Sequence, residues 1–211
     1  MKPHRGGLCI APLLALLALA LAAGIATASR SIELGPESGE LGRVTARAAG
    51  SRAASLTFVG REFEVICEVT LTLALNSAIA KTNGARAGSV TAARVSEGFC
   101  VGGKARFIGL PWTITYRSFA GTLPTITAIE LVIRNVDVLF EAFFEVGRCR
   151  YEGSATVTTT GNPIRSFSYR EASSQLLFKE RLGMVGPCPR EELASIKGAM
   201  TLAPTLRMSL L

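Results

Sequence analysis

The clearest pattern in the chain is an alternation of apolar and polar residues between Glu62 and Leu73. The apolar positions all have odd numbers: Phe63, Val65, Cys67, Val69, Leu71 and Leu73. Glutamate and threonine occupy the positions between them, with Ile66 as the exception. Successive side chains of a β-strand point to opposite faces of a sheet. This stretch therefore predicts a half-buried strand with Cys67 on the inner face.

The same period of two recurs further along the chain. It is found in Trp112–Tyr116, in Ile129–Phe140 and in Cys149–Val157, and more weakly in 164–169, 175–179 and 200–206. The parity of the apolar positions changes at Arg134-Asn135, which predicts a turn or a β-bulge there. A single helix is predicted over Pro189–Lys197, because proline suits the first helical position and two early glutamates suit the positive end of a helix dipole.

Turns that contain glycine and proline separate these segments, for example at Asn83-Gly84 and Gly161 to Pro163. Short strands at this spacing are typical of sandwiches and barrels. We therefore predict an all-β fold, an antiparallel β-sandwich or small β-barrel of about eight to ten strands. A signal-peptide helix is expected to precede it.

The N-terminus has the composition of a secretory signal. Lys2 and Arg5 precede an uncharged, Leu- and Ala-rich run from Leu8 to Ala23, and Ala26-Thr27-Ala28 offers small residues for cleavage. The alternative is a retained membrane anchor, but a bilayer needs about 20 apolar residues. We predict a signal peptide at 1–28, a flexible lead-in at 29–54 and one β domain at 55–211. The alternative for part of the lead-in is a weak edge strand near Arg43.

Removal of the signal also removes Cys9 and leaves Cys67, Cys100, Cys149 and Cys188. An even number of cysteines in an exported chain predicts two disulfides. We favour the pairs Cys67–Cys100 and Cys149–Cys188, because neighbours in sequence are commonly neighbours in a sheet. The paired spacing of a zinc site is absent, so no metal and no cofactor are expected.

The one histidine, His4, also lies in the signal. Residues 29–211 therefore exclude Ser-His-Asp and Cys-His catalysis and any metal site that depends on imidazole. The signal carries two of the 23 Lys and Arg and none of the 16 Asp and Glu, so a net charge of +5 remains. Its cations are scattered singly. A nucleic acid partner is not expected, and membrane contact is expected only through an uncleaved signal.

The segment Leu110–Ile126 reads LPWTITYRSFAGTLPTI, with a Cys-Val-Gly-Gly sequence before it and Cys149-Arg150-Tyr151 after it. This segment resembles a group of uncharacterised exported proteins of high-GC Gram-positive bacteria that share the cysteine frame. The resemblance covers roughly 63–153. It implies a bacterial, exported protein and carries over no activity, ligand or catalytic residue.

Two sets of side chains are candidates for function. Trp112, Tyr116, Arg117 and Phe119 could form a stacking platform or line a barrel mouth, and the alternative is that Trp112 and Tyr116 are core residues. Glu62, Glu64 and Glu68 share one strand face at roughly the spacing of a glycosidase carboxylate pair, and the alternative is a solvated face. Glu130 and Asp137 are expected to be outward members of their strands.

These features predict a secreted protein, extracellular or in the cell envelope, that acts as a non-catalytic binding or structural module. The ligand is left open between a cell-envelope component and a small apolar molecule. One alternative is a secreted carbohydrate-active hydrolase that uses Glu and Asp alone. Another is a carrier of an apolar ligand in a barrel cavity.

Overall fold

The computed structural model describes residues 31–37, 43–48, 56–59, 64–122, 125–142, 148–182 and 193–210. Strands dominate these ranges, and a short 3₁₀ turn lies at Glu171–Ser173. The thirteen strands are β1 (Ser31–Pro36), β2 (Val44–Ala48), β3 (Leu56–Val59), β4 (Glu64–Leu75), β5 (Ala78–Ala80), β6 (Arg86–Val101), β7 (Gly103–Ile108), β8 (Trp112–Thr122), β9 (Thr125–Ala142), β10 (Arg148–Thr159), β11 (Ile164–Tyr169), β12 (Gln175–Leu182) and β13 (Leu193–Leu210).

The strands form one antiparallel sheet whose pairing returns to its starting point. The ladder runs β9–β10–β12–β13–β2–β4–β6–β8 and then back to β9. The other strands extend this ring: β3 lies between β4 and β13, β7 lies beside β9, and β1 lies beside β13. The predicted all-β fold is confirmed. The structure has more strands than the eight to ten expected, because several positions in the ring are shared by two short strands.

The inward-facing residues follow the predicted alternation. In β4 the buried side chains are those of Val65, Cys67, Val69, Leu71 and Leu73. At one end of the core six aromatic rings form a chain, with neighbouring centroids 5.0 to 6.1 Å apart. These rings belong to Trp112, Phe107, Phe58, Phe140, Tyr151 and Phe178. Tilted and edge-to-face contacts of this kind stabilise the core beyond the burial of their area.

The predicted irregularity at Arg134-Asn135 is a β-bulge. Arg134 pairs with Ser154 and Val136 with Gly153, so Asn135 has no opposite residue on β10. Its φ is 60°, a left-handed conformation that asparagine tolerates better than most residues. The bulge explains the change of parity, because Ile133 and Val136 are both buried.

Two sequence predictions are wrong. The helix predicted over 189–197 is wrong for its described part, because Leu193–Lys197 begin β13 and pair with β12 and β3. Ala194 and Ile196 are buried while Leu193 is exposed, so burial here has the period of a strand. The lead-in over 29–54 contains β1 and the weak strand that was the alternative, β2, and both pair with β13. The signal peptide at 1–28 lies outside the described residues.

The cystine Cys67–Cys100 joins residues that are directly opposite each other on β4 and β6. The predicted pair is therefore confirmed. It closes a loop of 33 residues, which is worth roughly 3 to 4 kcal/mol in the chain-entropy account. Cys149 is disulfide-bonded as well, and Cys188, its predicted partner, lies outside the described residues.

Gly153 is expected to be irreplaceable by alanine. A Cβ there would lie 2.2 Å from the carbonyl oxygen of Gln175 and 2.9 Å from Leu176 Cα. Overpacking of this kind costs about 1 to 3 kcal/mol. Gly35, also within a strand, has no heavy atom within 4 Å of the corresponding position. Urea unfolding should show Gly153→Ala destabilised and Gly35→Ala at least as stable as the parent. Equal effects of the two substitutions would contradict the described β10–β12 register.

Candidate functional site

The closed sheet is split between β6 and β7. Both β7 and β8 lie along the same edge of β9, since β10 occupies the other edge. On the neighbouring strand, only Arg86–Val90 of β6 pair with β8, and no ladder joins β6 to β7 in the described ranges. The later half of β6 therefore faces β7 across a gap rather than through hydrogen bonds.

A concave site of about 600 Å³, which we call the β6–β7 cleft, lies along this gap and extends over the face of β7 to β9 and β10. Its lining residues come from four strands: Val95, Ser96 and Cys100 from β6, Gly103 to Arg106 from β7, Leu139 and Glu141 from β9, and Arg148 from β10. Its volume lies in the range of small-molecule sites, about 300 to 1,000 Å³.

Contacts at both ends of β7 hold it in this position. At its end, the indole Nε1 of Trp112 donates a hydrogen bond to the carbonyl oxygen of Ile108, at 2.9 Å. The Trp112 ring also packs edge-to-face on Phe107, with centroids 5.6 Å apart. At the start of β7 the chain passes so close to Glu64 that it requires glycine at position 102. The φ of Gly102 is +88°, and a Cβ there would lie 2.2 Å from the carbonyl oxygen of Glu64. The Cys67–Cys100 cystine fixes β6 just before this turn.

The cleft carries more positive than negative charge. Lys104 and Arg106 are exposed, and neither makes an ion pair with any described residue. Arg148 is paired with Glu141, at 3.4 Å between Nε and Oε2. The pair is largely self-compensating, so the two remaining β7 cations determine the charge of the site.

A separate ion network lies on the neighbouring strands and uses its own charges. Arg150 donates from Nε to both carboxylate oxygens of Asp137, at 3.0 and 3.2 Å, and from Nη1 to Glu180 at 2.6 Å. It is also paired with Glu152, which in turn contacts Lys179. The hydrogen bonds that Arg150 donates to Asp137 and Glu180 raise the pKa of Arg150 further above its ordinary value. Asp137 was expected to be an outward residue, but Arg150 covers it and only 7% of its side chain is exposed.

The four predicted ligand-binding residues do not form one open platform. Trp112 and Tyr116 are buried with Ile114, as in the core alternative, and burial raises the pKa of Tyr116. Arg117 is exposed and pairs with Glu130, while Phe119 lines a shallow depression of about 470 Å³ beside it. Direct ligand contact by these residues stays a prediction, and only Arg117 and Phe119 have accessible surface for it.

Glu130 lines this depression and is held by two hydrogen-bond donors and a third, more distant cation. Arg170 Nη1 donates to it at 2.7 Å and Ser118 Oγ at 2.9 Å, with Arg117 Nε at 3.5 Å. Burial acts to raise the pKa of Glu130, but the hydrogen bonds from Arg170 and Ser118 outweigh it, so the pKa is lowered. A carboxylate stabilised as an anion is a weak base. This arrangement therefore does not activate Ser118 as a nucleophile.

Two of the three glutamates considered for a hydrolase, Glu64 and Glu68, are paired with cations. Glu64 contacts Lys197 at 3.5 Å, and Glu68 contacts Arg47 at 3.3 Å. Neither lines the β6–β7 cleft, the depression beside Glu130 or the apolar space inside the sheet. Glu62 lies outside the described residues. Nothing in this arrangement resembles two carboxylates facing each other across a groove.

The apolar space inside the sheet is small. It measures about 40 Å³ and is lined by aliphatic side chains of the core, such as Leu34, Ile114 and Leu206. A site for a lipid or a drug-sized ligand needs several hundred Å³. The described interior therefore offers no room for an apolar ligand of that size.

Lys104, Arg106 and Arg148 were not identified from the sequence. The cations of the sequence are scattered singly, whereas the sequence pattern that indicates a charged binding site is a run of like charges. The alternation Lys104-Ala105-Arg106-Phe107 directly after two glycines is the pattern that could have shown them, since it puts both cations on one face of a strand.

Comparisons with protein-family models, curated proteins and solved structures gave no match to the chain. Among the described residues, no three His, Cys, Asp or Glu side chains are grouped so that they could hold a metal ion. The described part of the chain also contains no helix of sufficient length and apolarity to cross a membrane.

Glu130 should contribute stability in a pH-dependent way. Its folded pKa lies below the usual value of 4.5, so its contribution is present above about pH 4.5 and is lost as the pH falls through the folded pKa. The difference in urea midpoint between the parent and Glu130→Gln should therefore shrink between pH 7 and pH 3.

The control is Gln175→Asn, which changes an exposed side chain without removing a carboxylate and should run parallel to the parent at every pH. A Glu130→Gln deficit that is the same at pH 7 and pH 3 would mean that packing, rather than charge, explains the contribution of Glu130.

Proposed function

We propose that this chain is an exported, non-catalytic binding module and that its ligand is an anion held in the β6–β7 cleft. The observation that carries the proposal is the pair Lys104 and Arg106, two exposed cations without ion pairs among the described residues, in a concave site of about 600 Å³. Of the other two concave sites described above, one is apolar and small, and in the other Glu130 is paired with Arg117 and Arg170.

Export is supported by the cysteines and by the signal-like N-terminus. Disulfides form and persist in oxidising compartments, and Cys67, Cys100 and Cys149 are all disulfide-bonded. The predicted bacterial origin and the assignment to the cell envelope or the extracellular space are part of the same proposal.

A non-catalytic role is supported by how the carboxylates are used. Residues 29–211 contain no histidine. Glu130 is bound by Arg170 and Ser118, and Asp137 by Arg150. A general acid needs a raised pKa, and a general base needs a pKa near the working pH. Glu130, whose pKa is lowered by its contacts with Arg170 and Ser118, meets neither condition.

The double substitution Lys104→Gln/Arg106→Gln should remove most anion binding. The probes are poly-L-glutamate and dextran sulfate, measured by isothermal titration calorimetry at about 50 and 200 mM salt. We expect at least one of the two probes to bind the parent protein. Its binding should be weaker at high salt, because salt screens exposed charges. The double variant should bind that probe at least about tenfold more weakly, which corresponds to 1.4 kcal/mol.

The matched control is Lys81→Gln/Arg86→Gln. It removes the same charge from half-buried Lys81, before β6, and from exposed Arg86, the first residue of β6. Equal losses in the two double variants would show that net charge, and not the cleft, governs binding. Absence of binding of both probes to the parent would overturn the proposed function.

Export and the disulfide count can be checked with one measurement. The secreted protein should have the intact mass of residues 29–211, with two cystines revealed by alkylation before and after reduction. Recovery of the full-length chain in a membrane fraction would instead support the retained anchor.

A further inference from the structure

β7 has one edge with no strand partner among the described residues. It pairs with β9 along its whole length, from Gly103 opposite Ala142 to Ile108 opposite Asp137. In an antiparallel ladder every second residue directs its N–H and C=O to one edge and the next residue to the other. The edge of β7 that faces the cleft therefore presents backbone donors and acceptors at a regular spacing. Such an edge is a template for an added strand.

The cleft matches an extended segment in length as well as in hydrogen bonding. β7 is six residues long, which corresponds to about 20 Å of extended chain. The gap is bounded at one end by the Val90–Trp112 pair of the β6–β8 ladder and at the other by the turn at Gly102. An extended segment of about six residues would run along the whole of this edge.

The two cations have the spacing of a strand face. Lys104 and Arg106 are two residues apart, so their side chains leave the same face of β7, about 6 to 7 Å apart. Acidic side chains at alternate positions of an added strand would have the same spacing and would lie on the same face. Opposite charges directly across a strand pair are favourable.

The other face of β7 differs in character. Ala105 and Phe107 are half-buried and pack against the core. Val95 and Cys100 of β6, which also pack against the core, line the cleft. Residues of an added strand that point to this side would meet apolar surface. The bound segment should therefore alternate acidic and apolar residues.

We infer that the β6–β7 cleft binds an extended peptide segment of a partner protein, with acidic and apolar residues in alternation, which adds to the edge of β7 as a further strand. The inference rests on the anion-binding role proposed above for the same cleft. It goes beyond that role in requiring a peptide backbone in addition to negative charge. A polysaccharide could satisfy Lys104 and Arg106 but would not reproduce the ladder.

The test compares peptides of equal charge that differ in their backbone. The parent peptide has six alternating glutamates and valines, to match the six residues of β7, and is acetylated and amidated. Two isomers carry N-methyl groups, one on every glutamate and the other on every valine. N-methylation removes a backbone donor and keeps the side chains. Because the donors of glutamate and valine point to opposite edges of a strand, at least one isomer must lose the bonds to β7.

We expect the parent peptide to bind the protein, and at least one isomer to bind about tenfold more weakly or worse. Amide hydrogen exchange should slow in Gly103–Ile108 on addition of the parent peptide. The double substitution Lys104→Gln/Arg106→Gln should weaken binding of the parent peptide, while Lys81→Gln/Arg86→Gln should leave its binding unchanged. Equal binding by both isomers and the parent peptide would overturn strand addition.

The result with dextran sulfate separates this inference from the proposed function. If dextran sulfate binds through Lys104 and Arg106 while the parent peptide does not, the inference fails, the proposed function stands and the partner class is a sulfated polysaccharide. If the parent peptide, dextran sulfate and poly-L-glutamate all fail to bind, both the inference and the proposed function fail.

Discussion

The position of Asn135 determines whether a single core can form. Before this residue β9 pairs with β8, after it β9 pairs with β7, and β10 follows the other edge on both sides. In a regular strand, Ile133 and Val136 would point to opposite faces, because an odd number of steps separates them. The extra residue puts both on the inside. Without the bulge, one half of β9 would expose its apolar side chains, and the ladder from β8 to β10 could not enclose a continuous interior. The aromatic chain through Phe140 and Tyr151 depends on the same shift.

Much of this architecture could be predicted from local patterns. The alternation in β4, the change of parity in β9 and the Cys67–Cys100 pair follow from residues that lie close together in sequence. The failures have a common cause. β1 and β2 are short and weakly apolar, and they are strands because β13 supplies their partners. Leu193–Lys197 have helix-favouring neighbours, yet the ladders to β3 and β12 decide their conformation. Tertiary pairing overrides local preference in both places.

The candidate site was harder to predict for the same reason. The alternation in β7 puts Lys104 and Arg106 on one strand face, but the local sequence does not show that they differ from Arg117, Arg150 or Arg170 in the availability of a carboxylate partner. In the folded chain those three arginines contact Glu130, Asp137 or Glu180, whereas the two β7 cations contact no described carboxylate. Lys104 is even opposite Glu141 in the ladder, but Glu141 is within ion-pair distance of Arg148. Which cations remain available is thus decided by how acidic residues are shared across β9, β10 and β12. Sequence spacing holds no information about that sharing.

The two ends of the split have consequences for how it can move. At one end the β6–β8 ladder closes the gap beside Trp112, whose indole also holds the last residue of β7. At the other end a covalent cross-link ties β6 to β4 next to the turn into β7. Two strands that are fixed at both ends can bow apart in the middle but cannot slide past each other. The opening therefore has an adjustable width and a constant length, so a segment bound as we propose would be selected by the number of residues that it extends rather than by its bulk.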